Sequence, residues 1–410
     1  LRGQNSGGSA TALSFGVMGG GVTIDSGIGK ISITGKATGS AGINAQAVSN
    51  YGSGFTLRSA NTTSQAISIV GDASGVNGTN SSLGINFSGR MEATGIGGGI
   101  SISGTSGTAT GVDVATTLGG SILAKSGPIN IVGINDASHV GINFGTTTLG
   151  FKAGTNVLTS SSAITLKADS IGFGTTAVNT TGMVGIYSLD SSSSFGSAQT
   201  LPSTFTLNAG VTGLTIGKST NDKDITLNNA ISINGPISLY AGNINANAGL
   251  TSALADADIL LKATGNITTG TGLLFKTNKG DLTFWANSLA AGTAGAITLG
   301  DNTTVNTNNG LTTSAQSGGG KIVLAGGLDN GANDGTANDG VPDGFASSNT
   351  KSGVYLGTST NSVTTMYSGG GDILIRGSST TNSAADWINR MGVQQTSQWI
   401  ADSGNGSITV

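Results

Sequence analysis

The chain contains no cysteine, which excludes disulfides and thiolate metal centres and leaves the fold to packing alone. It has one histidine, His139, and one glutamate, Glu92, and Lys, Arg, Asp and Glu together make 9% of its 410 residues. Ordinary globular domains carry roughly 25%. With helix-forming charged residues this scarce, long surface helices are not expected. The 17 Lys and Arg are scattered through a chain of net charge −3, so they supply no basic patch and nucleic acid is not an expected partner. No apolar run approaches the roughly 18 residues of a membrane helix, so no membrane span is expected. No basic stretch followed by an apolar run opens the sequence, and no secretory leader is legible.

What fills the chain instead is glycine, 71 of 410 residues, with Ser, Thr and Asn. Such composition often signals disorder. Here apolar residues reach 36% and the net charge is small, whereas disordered chains pair low hydrophobicity with high charge. The apolar residues also recur. Ile31-Ser32-Ile33 precedes Gly42-Ile43-Asn44, and Ile67-Ser68-Ile69 precedes Gly84-Ile85-Asn86. Ile100-Ser101-Ile102 precedes Gly111-Val112-Asp113, and Ile129-Asn130-Ile131 precedes Gly141-Ile142-Asn143. The starts at 31, 67, 100 and 129 lie 36, 33 and 29 residues apart. A third strand type reads at Phe55–Arg58, Ile122–Lys125 and Ile164–Lys167.

Alternation at period two makes each unit a short strand with its Ile side chains on one face and Ser on the other. Three strands per repeat predict a three-sided coil of parallel strands, an all-β parallel β-helix running as one array over residues 1–410. Ile237, Ile259 and Leu282 follow at the tighter spacing of 22 and 23 residues. With about 4.8 Å between strands and about 12 to 20 turns, the coil would extend on the order of 60–95 Å. Low charge suits it, because stacked ladders of like charges would repel. An antiparallel sandwich is the alternative, but Asn-Gly hairpin turns such as Asn77-Gly78 and Asn234-Gly235 are not periodic.

Two segments interrupt the rhythm. Leu328–Ser348 is rich in Asp, Asn and Gly, and Asn382–Gln395 reads as a short helical or irregular insertion, with Trp387 and Met391 on one helical face. The sequence begins at Leu1 without Met and stops in strand-like Ile408-Thr409-Val410, so the expectation is a piece of a longer chain.

In "GKISITG" (Gly29–Gly35), "GDLTFWANS" (Gly280–Ser288), "GGGDILIRG" (Gly369–Gly377) and "GNGSITV" (Gly404–Val410), the chain resembles the repeat region of filamentous-haemagglutinin-like bacterial exoproteins. The resemblance runs from about Leu13 to the end. It implies a right-handed parallel β-helix on a cell surface or outside the cell, serving adhesion, biofilm formation or contact-dependent competition. That family's secretion domain carries Asn-Pro motifs; the four prolines here follow Gly, Leu, Gly and Val.

Parallel β-helices also include polysaccharide lyases and glycosidases, the alternative function. Such sites need clustered carboxylates beside Lys or Arg. Asp222/Asp224 and Asp256/Asp258 are Asp-x-Asp pairs, yet each lies where a strand begins, a position at which Asp commonly serves turns. His139 has neither Cys nor a second His to complete a site. No enzyme is therefore expected. The Leu328–Ser348 segment carries the one metal candidate. Asp329, Asp334, Asp339 and Asp343, spaced by Gly331, Gly335 and Gly340, suit a hard cation such as calcium, which takes six to eight oxygens. "NDGVPDG" (Asn338–Gly344) is similar to the end of a thrombospondin type 3 calcium repeat, although Gly335 and Ala337 occupy positions where acidic residues are expected. Ice binding would want a regular Thr array, and Thr146–Thr148, Thr303-Thr304 and Thr312-Thr313 do not recur at the repeat period.

The expectation is thus a structural and adhesive extracellular solenoid of a bacterial surface, fibre or biofilm matrix. A stacked coil leaves unpaired N–H and C=O groups at its ends, so its partners are expected to be itself, head to tail or as continuing chain, and surface glycans.

Overall fold

The computed structural model describes residues 2–5, 14–15, 22–41, 45–50, 54–78, 82–107, 114–135, 139–150, 160–289, 294–312, 318–332, 335–349, 352–379, 391–396 and 398–410. Among them there is no helix, and the strands pair in parallel throughout the main sheets. The chain is an all-β parallel β-solenoid. It divides into two compact units, Leu1–Thr212 and Gly213–Val410, each with its own build.

In the first unit the repeat phrases stack in register. Ile31 lies beside Ile67, Ile67 beside Ile100, Ile100 beside Ile129 and Ile129 beside Ile164. Ile33, Ile69, Ile102, Ile131 and Leu166 form a second column in the same strands. All are buried, while Ser32, Ser68 and Ser101 face outward. Each buried isoleucine contributes about 1.5–3 kcal/mol of apolar transfer, and neighbouring rungs share that burial.

The second sheet of this unit holds Ala45–Asn50, Ser82–Ala93, Val114–Ala124, Val140–Gly150 and Thr175–Asn179. Here the structure departs from three separate strands per repeat. Gly84-Ile85-Asn86 and Gly141-Ile142-Asn143 open strands of 12 and 11 residues. The third strand type is fused onto this sheet: Leu57 pairs with Met91, and Ile122–Ala124 finishes the strand that begins at Val114. The intervening corner is only a kink, made at Gly120 with φ +87. Ile164–Lys167 belongs to the first sheet instead. Gly42-Ile43-Asn44 and Gly111-Val112-Asp113 lie outside the described residues.

The glycines of the two phrases have one explanation. A Cβ at Gly35, Gly71, Gly104 or Gly133 would overlap the backbone carbonyl of Ala47, Gly84, Ala115 or Gly141, respectively. The four glycines stack in register. Along this column the backbones of the two sheets touch, which only glycine permits. Ala37, Ala45, Ala47, Ala73 and Val76 cluster beside it.

The second unit has three long sheets. The first carries Gly213–Ile216, Ile237–Ala241, Ile259–Ala263, Leu282–Ala286, Ile322–Gly326, Ile373–Ile375 and Ile408–Thr409. The second runs from Ile225–Leu227 through Ile244–Ala246, Ile267–Thr269, Ile297–Leu299 and Val354–Leu356 to Val393–Gln395. The third runs from Ile231–Ile233 through Leu250–Ala255, Leu274–Asn278, Thr304–Asn306 and Val363–Tyr367 to Gln398–Asp402. Strands are mostly three to five residues long, so each turn reads as three sides. Phe275 of the third sheet meets Phe284 of the first edge-on, with ring centroids 5.2 Å apart. The segment Asn382–Gln395 falls mostly outside the described residues; its last three, Val393–Gln395, are strand.

Candidate functional site

Strands of the first sheet in the second unit normally bury every other residue, as Ile237–Ala241 and Ile259–Ala263 do. Leu282–Ala286 and Ile322–Gly326 are buried at all five positions. Their outward side chains, Thr283, Trp285, Val323 and Ala325, are therefore covered, and the cover is the Leu328–Ser348 segment. Trp285 donates its indole N–H to the Gly327 carbonyl at 2.7 Å. Arg376 Nη1 reaches the carbonyls of Asp343, at 3.1 Å, and Pro342, at 3.4 Å. The segment returns as Ala346–Ser348, paired in parallel with Gly377–Ser379. A small cleft of about 170 Å³ remains between Val341 and the sheet residues Val323 and Leu374.

Lys262, the register neighbour of Trp285, lies with its Nζ 3.4 Å from the centre of the indole ring. Burial lowers the Lys262 pKa, against the opposing pull of the Asp329 charge in the loop. A cation over indole is favourable by about 0.5–2 kcal/mol, rising with desolvation, so this stack braces two neighbouring rungs of the sheet beneath the loop.

The acidic residues expected to hold calcium serve the loop's own backbone. Asp329 accepts from the N–H groups of Asn338 (2.6 Å), Gly340 (2.9 Å) and Asp339 (3.3 Å). Asp343, 1% exposed, accepts from Asn330 N (2.6 Å) and Gly331 N (2.5 Å) through Oδ2. Asp339 accepts from Val341 N at 2.9 Å. Asp334 lies outside the described residues. Among the described residues no three His, Asp or Glu side chains come together as a metal site.

Where the loop meets the corner of the sheet, a cleft of about 300 Å³ opens, lined by Asn287, Leu328, Asn330, Asp343, Phe345, Ser347 and Ser378 among others. Leu328 and Phe345 are 45% and 49% exposed. Asn287 is 9% exposed; its Nδ2 donates to Ser347 Oγ at 3.2 Å, and its Oδ1 is buried without a hydrogen-bond partner. A buried orphan acceptor costs about 1–3 kcal/mol, so this one stands out from an otherwise well-paired loop.

The Asp-x-Asp pairs resolve into ladders. Asp224 Oδ1 accepts from Asn243 N, Asn243 Oδ1 from Asn266 N, and Asn266 Oδ1 from Ala296 N, at 2.8 Å each. On another corner Asp258 Oδ1 accepts from Asp281 N and Asp281 Oδ1 from Lys321 N, both at 2.7 Å. Asp372 likewise accepts from Ser407 N at 2.8 Å. Each such residue immediately precedes a strand and holds the N–H of the next rung. Asp256 takes φ +61 in a turn, and Asp222 contacts Lys223 at 2.9 Å. His139 is half-buried just before the strand Val140–Gly150. Glu92, 4% exposed, accepts from Arg58 Nε at 2.7 Å and from Arg90 Nε, a charge cluster with a single carboxylate. Thr147 and Thr303 are buried, so those clusters do not build an outer threonine array.

The sequence did carry a sign of the covered face. "LTFWA" and "IVLAG" place apolar Trp285, Val323 and Ala325 at outward positions, as in a strand buried on both faces, although Leu260 and Leu374 do the same in neighbouring strands and stay partly exposed. Asn287 and Phe345 left no sign; only the folded loop brings them together.

No family model, curated protein or solved structure matches this chain.

Proposed function

We propose that the chain is a structural and adhesive solenoid of an extracellular or bacterial cell-surface assembly, of the filamentous-haemagglutinin-like kind, which stacks end to end and presents its flanks to surface glycans. The observation that carries this reading is the in-register parallel stack itself, whose columns run rung after rung to Ile408 beside Ile373. Such a stack can be extended along its axis by further rungs, and an identical subunit is one source of them, in a contact that propagates without closing.

The flank supports adhesion by its chemistry. Thr226, Asn245, Thr268, Thr298 and Tyr355 stack rung over rung on the outward face of the second sheet, a column of hydroxyls and amides with no charge. Uncharged polar ladders can meet a hydrated surface without the repulsion of a charged face.

The test is light scattering and electron microscopy of the chain over a concentration series, with Ile408→Lys as the variant. The reading expects rods that lengthen with concentration and a variant that stays monomeric. A wild-type chain that stays monomeric throughout removes the end-to-end part of the proposal.

A further inference from the structure

We infer that the cleft between the Leu328–Ser348 loop and the corner at Asn287 is a binding site for a single neutral pyranose ring. The inference deepens the adhesive reading and rests on it for its biological sense, since it names where and what the solenoid would hold. Its size, about 300 Å³, is at the lower end of ligand pockets at about 300–1,000 Å³. That is room for one small ring.

The lining sorts into two kinds of group. Phe345 and Leu328 stand half-exposed and offer apolar surface, the phenyl ring suited to the C–H face of a sugar. Beside them lie four uncharged polar side chains, Asn287, Asn330, Ser347 and Ser378. Asn287 is held by its bond to Ser347 Oγ at 3.2 Å, which leaves Oδ1 as a buried acceptor still lacking a donor. Sugar hydroxyls both donate and accept, so vicinal hydroxyls fit a wall of serine hydroxyls and asparagine amides. A cation is poorly served, because Asp343 Oδ2 already accepts two backbone N–H groups. An anionic sugar would approach the Asp343 carboxylate with no cation among the lining residues. The nearby Arg376 donates to the Pro342 and Asp343 carbonyls of the loop. The chemistry left is neutral and polyhydroxylated.

The site is built on a held scaffold. The loop is pinned by Trp285 to Gly327 and by Asp329 to Asn338 and Gly340, and Asn287 sits at φ +51 in the corner turn. A site fixed in advance spends little ordering entropy on a small ligand.

Ligand-observed saturation-transfer NMR on the whole chain tests this, with methyl glucoside, methyl galactoside, N-acetylglucosamine and glucuronic acid as probes. At least one neutral pyranose is expected to bind through its C–H face. Phe345→Ala is expected to weaken it about five- to tenfold, from the loss of one aromatic contact, while Phe345→Trp retains it. Asn287→Gly, compatible with φ +51, is expected to weaken binding similarly by removing one amide of the wall and its hold on Ser347. Near-ultraviolet dichroism of the buried Trp285 reports that each variant keeps its loop. The inference is overturned if no neutral sugar binds the folded chain, if binding survives both losses, or if glucuronic acid binds more tightly than the neutral sugars. Adhesion to a glycan-coated surface that is unchanged by Phe345→Ala would sink this cleft and leave the adhesive reading standing. Monosaccharide binding without surface adhesion would do the reverse.

Discussion

The two units solve the same problem, stacking short strands in register, with different materials. The first unit uses long strands in two sheets whose backbones meet along Gly35, Gly71, Gly104 and Gly133. That column itself passes to Ala168 beside Gly133. In the second unit the equivalent position, four residues after the first inward residue of each strand, is Ala241, Ala263 and Ala286, and it returns to glycine at Gly326 and Gly377, where another backbone again comes close. There the corners are set by side chains instead: Asp224, Asn243 and Asn266 on one, Asp258 and Asp281 on another. One methyl group separates the glycine rungs from the alanine rungs. Where backbones must touch, glycine is required; where a third side opens the cross-section, alanine fits and polar ladders can hold the turns.

The largest effect expected is from Ile100→Asp in the first unit. Ile100 is fully buried between Ile67 and Ile129, so an unpaired carboxylate there carries several kcal/mol of desolvation, about 2–7 kcal/mol even for a neutral polar group. Because stability in a repeat array is held by nearest neighbours, hydrogen exchange should show loss of protection in Ile67–Gly78 and Ile129–Ile134, with Ile259–Ala263 still protected. Protection retained next to Asp at position 100 would mean that the column is not a core.

The contrast itself is tested by exchanging the methyl. Gly104→Ala places a Cβ against the Ala115 carbonyl, and such overpacking costs about 1–3 kcal/mol. Ala263→Gly in the second unit removes a buried methyl where space already exists, at about 1 kcal/mol. Equal costs in denaturant titrations would erase the distinction drawn between the units.

A smaller effect sharpens the ladder argument. Partial desolvation of its carboxyl first, and then the charges of Asp281 and Asp256, raise the Asp258 pKa. The folded chain thus binds that proton more tightly than the unfolded chain, and ionised Asp258 opposes folding above the ordinary value near ~3.9. That opposition fades as pH falls through the raised folded value. Asp258→Asn keeps an oxygen for the Asp281 N–H, so it should raise the melting temperature at neutral pH and lose that advantage in acid. Asp258 is exposed to solvent, and screening holds the gain below about 0.5 kcal/mol. Destabilisation at neutral pH would mean that the carboxylate charge itself supports the ladder.

Much of this was legible in the sequence because a period-two pattern repeated along the chain admits few solutions. Ile31, Ile67, Ile100 and Ile129 took their places because each buries the same face one rung apart. The fusion of the second and third strands was not legible. Gly120 can kink a strand or end it, and its sequence neighbours do not distinguish the two. Ile164-Thr165-Leu166 was misassigned for a related reason, since inward-facing alternation looks alike on every side of a solenoid. The role of Asp224 and Asp258 at strand starts was half legible: turn chemistry predicted their place, but only the stacking shows that each holds the N–H of the next rung. The covered face at Trp285 was only partly written in the apolar outward residues Trp285, Val323 and Ala325, because Leu260 and Leu374 stand at like positions without full cover, while the cleft at Asn287 depends on a loop path that composition does not encode.

The in-register parallel stack is the claim on which the rest depends, and the absence of native cysteine allows a direct measurement. Ser68 and Ser101 are register partners in the first unit, as are Thr268 and Thr298 in the second. Neighbouring strands lie about 4.8 Å apart, within the Cα separations of about 4.4–6.8 Å that a disulfide spans. Introduced in pairs, Ser68→Cys with Ser101→Cys and Thr268→Cys with Thr298→Cys should cross-link under mild oxidation, each within one chain. Ser68→Cys with Ser103→Cys, two residues out of register, should not. Efficient cross-linking of the displaced pair, with the register pairs left reduced, would contradict the stack.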